Sequence, residues 1–163
     1  MTGAATAAGT GEVAADGHRV VPLVDYLHLR PAPHLVAHEC RSCGARYFDH
    51  RVACANCSGR DFRTVDLPVT GWLRTFTIVE VAPPGVAVPF VAGVVDCGTT
   101  PVRANVVNVP PSPETVRVGM PLRLCTFSLG FDPEGVEAVG FAFEPAGGPD
   151  DAGHPGGGEP DGG

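Results

Sequence analysis

Four of the six cysteines fall into two C-x2-C pairs, CRSCG over residues 40–44 and CANCSG over residues 54–59, with ten residues between the pairs. Each tight C-x2-C turn aims two sulfurs at one point. Two such turns present Cys40, Cys43, Cys54 and Cys57 as a tetrahedral set of thiolates, the donor set of a structural zinc site. Such a site is closed, leaving no position for water or substrate and hence no Lewis-acid chemistry. Gly44, directly after the second sulfur, suits a turn that needs positive φ. Iron in a rubredoxin-like site is compatible with the same ligands, and a pair of disulfides is the other use of four cysteines. No secretory signal is recognisable in the Ala/Gly/Thr-rich segment 1–17, so the metal reading is preferred and the expected location is the cytoplasm.

Other reactive side chains make no complete active site, and no catalytic residue is assigned. His34, His38 and His50 lie near the cysteines in sequence, but four sulfurs already complete a tetrahedron, so these histidines are expected on the surface or beside the site. Cys97 and Cys125 fall in strand-like windows, where a free cysteine serves as a small buried hydrophobe. Ser42, Ser58, Ser112 and Ser128 lack a nucleophile-elbow context. There is no P-loop and no GxGxxG after a strand. Asp132 and Glu134 sit in a Pro/Gly turn, the setting of a solvated loop.

The elements that must position the cysteines are read from punctuation. Gly (22) and Pro (17) make up nearly a quarter of the 163 residues, too many for a helical bundle. Prolines leave five Pro-free windows, 69–82, 90–100, 102–109, 122–132 and 134–144, each rich in Val, Thr, Phe and Ile and each read as a strand. The first window is long enough to bend, with Gly71 a natural place for a bulge or kink. Residues 112–119 have room for one helical turn. Five strands with a long first one suggest a small closed or partly open barrel, of which the OB fold is the five-stranded example; a small open sandwich gives a similar pattern. Upstream, Leu23, Tyr26 and Leu27 have helix-like spacing, which predicts a short helix over 22–32 ending at Arg30-Pro31.

The net charge of −7 is uneven. Six of the eighteen acids and none of the eleven bases lie in residues 1–17 and 145–163, so the stretch between is nearly neutral. That balance, with no lysine and only 7% aromatics, argues against a nucleic-acid groove, although zinc ribbons and OB folds often serve as single-stranded nucleic-acid modules. No apolar run is long enough for a transmembrane helix. The expected partition is a disordered tail over 1–17, a short helix and zinc ribbon over 18–67, a barrel over 68–145, and a disordered acidic Gly/Pro tail over 146–163.

The order of ribbon and barrel resembles the acyl-CoA-associated zinc-ribbon/OB-fold family, domain of unknown function thirty-five, of the thiolase-accessory type. The resemblance covers about residues 22–145. It rests on CRSCG and CANC, on VTGWLRTFTIVEVAPPGVAVPFVAGVVDCG with Gly71, Thr75, Thr77 and Pro89-Phe90, and on VRVGMPLRLCTF with Gly119. The chain departs from the family pattern where prolines usually precede the third cysteine, keeping only Arg51, and where Ser58 displaces a glycine to Gly59. The resemblance implies a mainly β protein with a rubredoxin-like four-cysteine ribbon and a five-stranded OB barrel. It further implies one structural zinc per chain and a non-catalytic accessory role in lipid or polyketide metabolism. The expected partner is a thiolase-fold or hot-dog-fold enzyme acting on acyl-CoA or acyl-carrier-bound substrates, with a CoA thioester as possible ligand in the complex and no membrane partner. Arg41, Arg46 and Arg51 could meet a CoA phosphate, but a solvated or partner-facing role fits them equally and they are not assigned as sites.

Overall fold

The computed structural model describes residues 12–13 and 17–147, and most of the two expected tails lies outside the described residues. The described part is all-β: β1 Glu12–Val13, β2 Arg19–Pro22, β3 Leu27–His28, β4 His34–Cys40, β5 Arg46–Tyr47, β6 Phe62–Asp66, β7 Thr70–Val79, β8 Phe90–Cys97, β9 Thr100–Val106, β10 Pro121–Phe131 and β11 Glu137–Pro145. Among the described residues no helix is long and apolar enough to cross a membrane.

Strands β7, β8 and β9 form an antiparallel meander, β10 pairs antiparallel with both β7 and β11, and β11 returns parallel to β9 at Phe143 opposite Val106. The five strands therefore close into a ring with no free edge at the closure, the barrel that the Pro-free windows anticipate. Alternation fills it: Leu73, Val91, Val95, Val102, Val106, Leu122 and Phe143 are all buried in one cluster. Gly71 is where β7 crosses tightly over β8, since a Cβ there would lie 2.5 Å from the Asp96 carbonyl oxygen and 2.8 Å from Val95 Cγ1. The register shift expected at Gly71 falls instead between Leu73 and Thr75. Between β9 and β10, Val116 N–H bonds to the Ser112 carbonyl at 3.0 Å, the single helical turn for which residues 112–119 had room.

The helix expected over 22–32 is not present. Backbone groups of that segment are taken by distant strands: Leu23 N–H donates to Val139 C=O at 2.8 Å, and Tyr26 C=O accepts from Val36 N–H at 2.9 Å. These long-range bonds override a weak local preference. The spacing that suggested a helix serves separate contacts. Leu27 is 1% exposed in the core, Leu23 is exposed, and the Tyr26 ring lies 4.5 Å from Phe48 and 6.0 Å from Phe141. Upstream, β2 pairs parallel with β11 over Val20–Pro22 and Glu137–Val139, and Glu12–Val13 pairs with β2 within the segment expected to be a tail.

Strand β4 is the centre of the cysteine-bearing sheet, pairing with β3 at His34–Leu35, with β5 at His38–Glu39 and with β6 along Val36–Cys40. Leu27, Leu35, Ala37 and Leu67 from this region belong to the same apolar cluster as the barrel side chains. A polar clamp adds to the join. The buried Glu39 carboxylate accepts from Arg63 Nε at 2.8 Å and from Arg46 Nε at 2.7 Å, while Arg46 Nη1 lies 3.3 Å from Thr100 Oγ1 at the start of β9. The hydrogen bonds from Arg63 and then Arg46 hold the Glu39 carboxyl below its ordinary value.

Two outcomes are expected. Gly71→Ala forces β7 away from β8 and should lower stability by about 1–3 kcal/mol, the usual cost of overpacking, measured by urea unfolding. A carboxyl whose folded pKa is depressed stabilises the fold fully above its ordinary value and loses that contribution as pH falls through the depressed one. Glu39→Gln should therefore lower the melting temperature at neutral pH and flatten its decline on the acid side, read by thermal melts across pH.

Candidate metal centre

Two backbone turns of the same form hold the sulfurs. In the first, Gly44 N–H bonds to Cys40 C=O at 2.8 Å and Cys40 N–H to Ala45 C=O at 2.8 Å; in the second, Ser58 N–H bonds to Cys54 C=O at 2.8 Å and Cys54 N–H to Gly59 C=O at 2.8 Å. The residue after each second cysteine has positive φ, 74° at Gly44 and 60° at Ser58. Glycine takes this conformation freely, while serine does so at a cost of about 1–2 kcal/mol. The departure noted in the sequence at Ser58 is thus a backbone copy of the first turn carried by a costlier residue. Gly59 has a different role: a Cβ there would crowd the site, 3.0 Å from Ser42 Oγ and 3.3 Å from the sulfurs of both Cys40 and Cys57.

The turns bring Cys40, Cys43, Cys54 and Cys57 together. Cys40 and Cys57 Sγ are 3.6 Å apart, Cys43 and Cys54 Sγ 3.5 Å, and all four sulfurs lie within 4.8 Å of one another. A tetrahedral zinc site with Zn–S bonds of about 2.3 Å has sulfur–sulfur edges of about 3.8 Å. The cluster brackets that edge and could hold a zinc ion. Cys40 and Cys54 face inward and are buried, whereas Cys43 and Cys57 are exposed.

Surrounding groups favour the thiolate form unevenly. Tyr47 O–H lies 3.3 Å from Cys54 Sγ and the Asn56 N–H 3.4 Å from it. The Tyr47 hydrogen bond is the main reason that the Cys54 thiol falls to about 6, against the opposing effect of desolvation. At Cys57 the Gly59 N–H pulls down, but hydrogen bonding to the Cys43 and Cys40 sulfurs outweighs it and pushes the thiol up to about 12. Tyr47, which sequence reasoning did not single out, is itself held by Phe62 at 6.2 Å and by the Arg51 guanidinium 4.4 Å above its ring. Its signal was its place seven residues before Cys54, invisible without the β4–β5 pairing.

The structure places the remaining candidates elsewhere. His38 and His50 stack on each other with ring centroids 4.1 Å apart, and His34 Nδ1 bonds to Ala32 C=O at 2.8 Å. Cys97 is fully buried, and burial pushes its thiol up to about 12, far from a nucleophile's range. Cys125 is half-buried and raised by the same cause. Asp132 organises its turn, accepting at Oδ1 from Glu134 N–H at 3.0 Å and Val136 N–H at 2.8 Å.

With this geometry, comparison with known proteins is direct. Residues 64–127, from β6 to the middle of β10, match the family model described as ChsH2, C-terminal OB-fold domain. The fold is similar to a solved structure described as "Ltp2-ChsH2(DUF35) aldolase", with 26% identity and a TM-score of 0.54 over 69% of this chain and 84% of that one. A DUF35-family protein of unknown function from Sulfolobus solfataricus is 16% identical with a TM-score of 0.40, over 65% of this chain and 75% of that one. No curated protein matches the sequence.

Tyr47→Phe removes the O–H that supports the Cys54 thiolate while keeping the ring. Groups of this kind beside a metal typically contribute 10–100-fold in affinity. The variant should bind zinc about 10-fold or more weakly in a chelator competition titration, with its far-ultraviolet circular dichroism unchanged.

Proposed function

Because the chain is an OB-fold protein of the DUF35 family, we propose that it is a cytoplasmic, non-catalytic accessory subunit that docks on a thiolase-fold or aldolase-type enzyme and helps bind or channel acyl-CoA or acyl-thioester substrates. The observation that carries this reading is the likeness, over 69% of this chain and 84% of the other, to a chain of the Ltp2-ChsH2(DUF35) aldolase, which joins a DUF35 protein to an enzyme by name. Two features of the chain agree with it. Four sulfurs already fill a tetrahedral sphere, so the metal site offers stability and no reactive position. The hairpin of β10 and β11 also leaves Phe127, Leu129 and Phe131 43%, 49% and 62% exposed, apolar surface of the kind that a partner covers.

In this reading Cys40, Cys43, Cys54 and Cys57 hold one zinc, which supplies a cross-link between the two turns. The rest of the work belongs to the protein's own surfaces. A rigid barrel joined through one core to the cysteine-bearing sheet can cover a partner's substrate channel, exclude water and hold an acyl thioester in a reactive orientation. Rate is gained through orientation, while the partner provides the nucleophile. A stable contact of this kind buries about 1,200–2,000 Å² in total.

The test is co-expression with a candidate thiolase- or aldolase-type enzyme, followed by size-exclusion chromatography, elemental analysis and an acyl-thioester assay. Co-elution, about one zinc per chain and partner activity that rises with the subunit present are expected. Separate elution together with unchanged partner activity overturns the docking role, and a fully folded metal-free chain overturns the zinc assignment. Salt-sensitive binding of single-stranded DNA or RNA by the isolated chain would favour a nucleic-acid module in its place.

A further inference from the structure

Strand β10 is covered for only part of its length on the edge turned away from β11. Pairing with β7 spans Pro121–Arg123, and Leu124 N–H donates to Val69 C=O at 2.7 Å. Alternate residues of an antiparallel strand bond to opposite neighbours, so Thr126 and Ser128 turn their N–H and C=O groups to the same side as Leu124. Among the described residues no strand lies beside them there. The ladder to β11 stays in register through Ser128 and shifts before Gly130, which limits the regular free edge to Thr126–Ser128.

Proteins ordinarily blunt such an edge with charge, proline, a bulge or a covering segment. Apart from the bulge, this edge has none of them. Residues 124–131, LCTFSLGF, hold no charge and no proline between Arg123 and Asp132. Phe127, Leu129 and Phe131 are exposed along the same stretch. Phe127 and Leu129 share a floor, since a Cβ on Gly140 would lie 3.0 Å from Phe127 Cζ and 3.3 Å from Leu129 Cδ1. An incoming strand thus meets free backbone groups to pair with and an apolar row to cover, the two parts of recognition by strand addition.

The terminal segments of the chain do not fit that row. Residues 1–11, 14–16 and 148–163, outside the described part, contain no Val, Ile, Leu, Phe, Tyr or Trp to lay against it. A second copy is opposed by the net charge of −7 that each chain carries. We propose that an uncharged, apolar segment of the docked enzyme adds to β10 as a further strand at Thr126–Ser128 and covers Phe127, Leu129 and Phe131. The inference rests on the docking role proposed above and gives that role its place and its mode.

The experiment uses the full chain co-expressed with a candidate thiolase- or aldolase-type enzyme, read by size-exclusion chromatography, calorimetric titration and amide hydrogen exchange. Thr126→Pro deletes one outward N–H and leaves the ladder to β11 whole, a change that edge strands accommodate. It should weaken binding of the enzyme about 10-fold or more, as expected when a carbonyl of the incoming strand is left without its donor. Thr126→Ala keeps the N–H and should bind like the unaltered chain. In the unaltered complex the amides of Thr126 and Ser128 should exchange more slowly than in the free chain, a reading that needs no variant to fold. Co-elution with undiminished binding by Thr126→Pro, or with unchanged exchange at both amides, overturns strand addition and leaves the docking role standing. Separate elution of the unaltered chains overturns the docking role and strand addition with it. A free chain that forms a dimer, returned to monomer by Thr126→Pro, assigns the edge to a second copy and overturns the enzyme as its occupant.

Discussion

Strand β11 carries two parallel neighbours along one edge, and the architecture depends on that sharing. At its C-terminal end Phe143 meets Val106 of β9 and closes the barrel; at its N-terminal end Glu137–Val139 receive Val20–Pro22 of β2. Neither partner could use the whole edge without excluding the other. Closure buries Phe143 completely and removes the free edges that an open five-stranded sheet would leave. The β2 contact fixes where the chain enters, and from there Tyr26 and Leu27 are delivered to the seam between barrel and cysteine-bearing sheet. The metal centre is thus built on a support whose geometry is set by the barrel's last strand.

At that seam, apolar and ionic contacts divide the task. Leu27, Leu35, Ala37 and Leu67 bring no direction of their own, whereas the Glu39 clamp selects an angle, because both of its guanidiniums must reach one carboxylate. Breaking such a cluster by removing one member leaves a buried charge without its partner, the costly kind of loss. Beyond the clamp, the same strand ends at Cys40, so a disturbance at Glu39 passes one residue along the backbone to the first sulfur.

How much was legible in the sequence follows from which forces are local. Proline-bounded windows located all five barrel strands to within a few residues, since a missing N–H is a property of the residue itself: Pro121 opens β10 and Pro145 closes β11. Two C-x2-C turns likewise announce themselves through spacing alone. The segment 22–32 misled because its helical spacing was real while its hydrogen-bond partners, Val139 far along the chain and Val36 on the neighbouring strand β4, lie outside it. Tyr47 and the Glu39 clamp were invisible for the same reason. Their roles exist only once β4 has paired with β5 and β6, and no residue pattern within either strand records that pairing.

The parallel contact between β2 and β11 has a consequence for synthesis. His18 and Glu137, which meet at 2.7 Å, are 119 positions apart in the chain. As the polypeptide leaves the ribosome, the cysteine-bearing sheet can pair internally once Asp66 has emerged, yet β2 must wait for nearly all of the barrel before its partner exists. Long-range pairings of this kind make folding slow, and the waiting strand is an exposed edge in the meantime. A nascent chain held short of Glu137 would carry that unsatisfied edge, a window in which a chaperone could engage it before the barrel shuts.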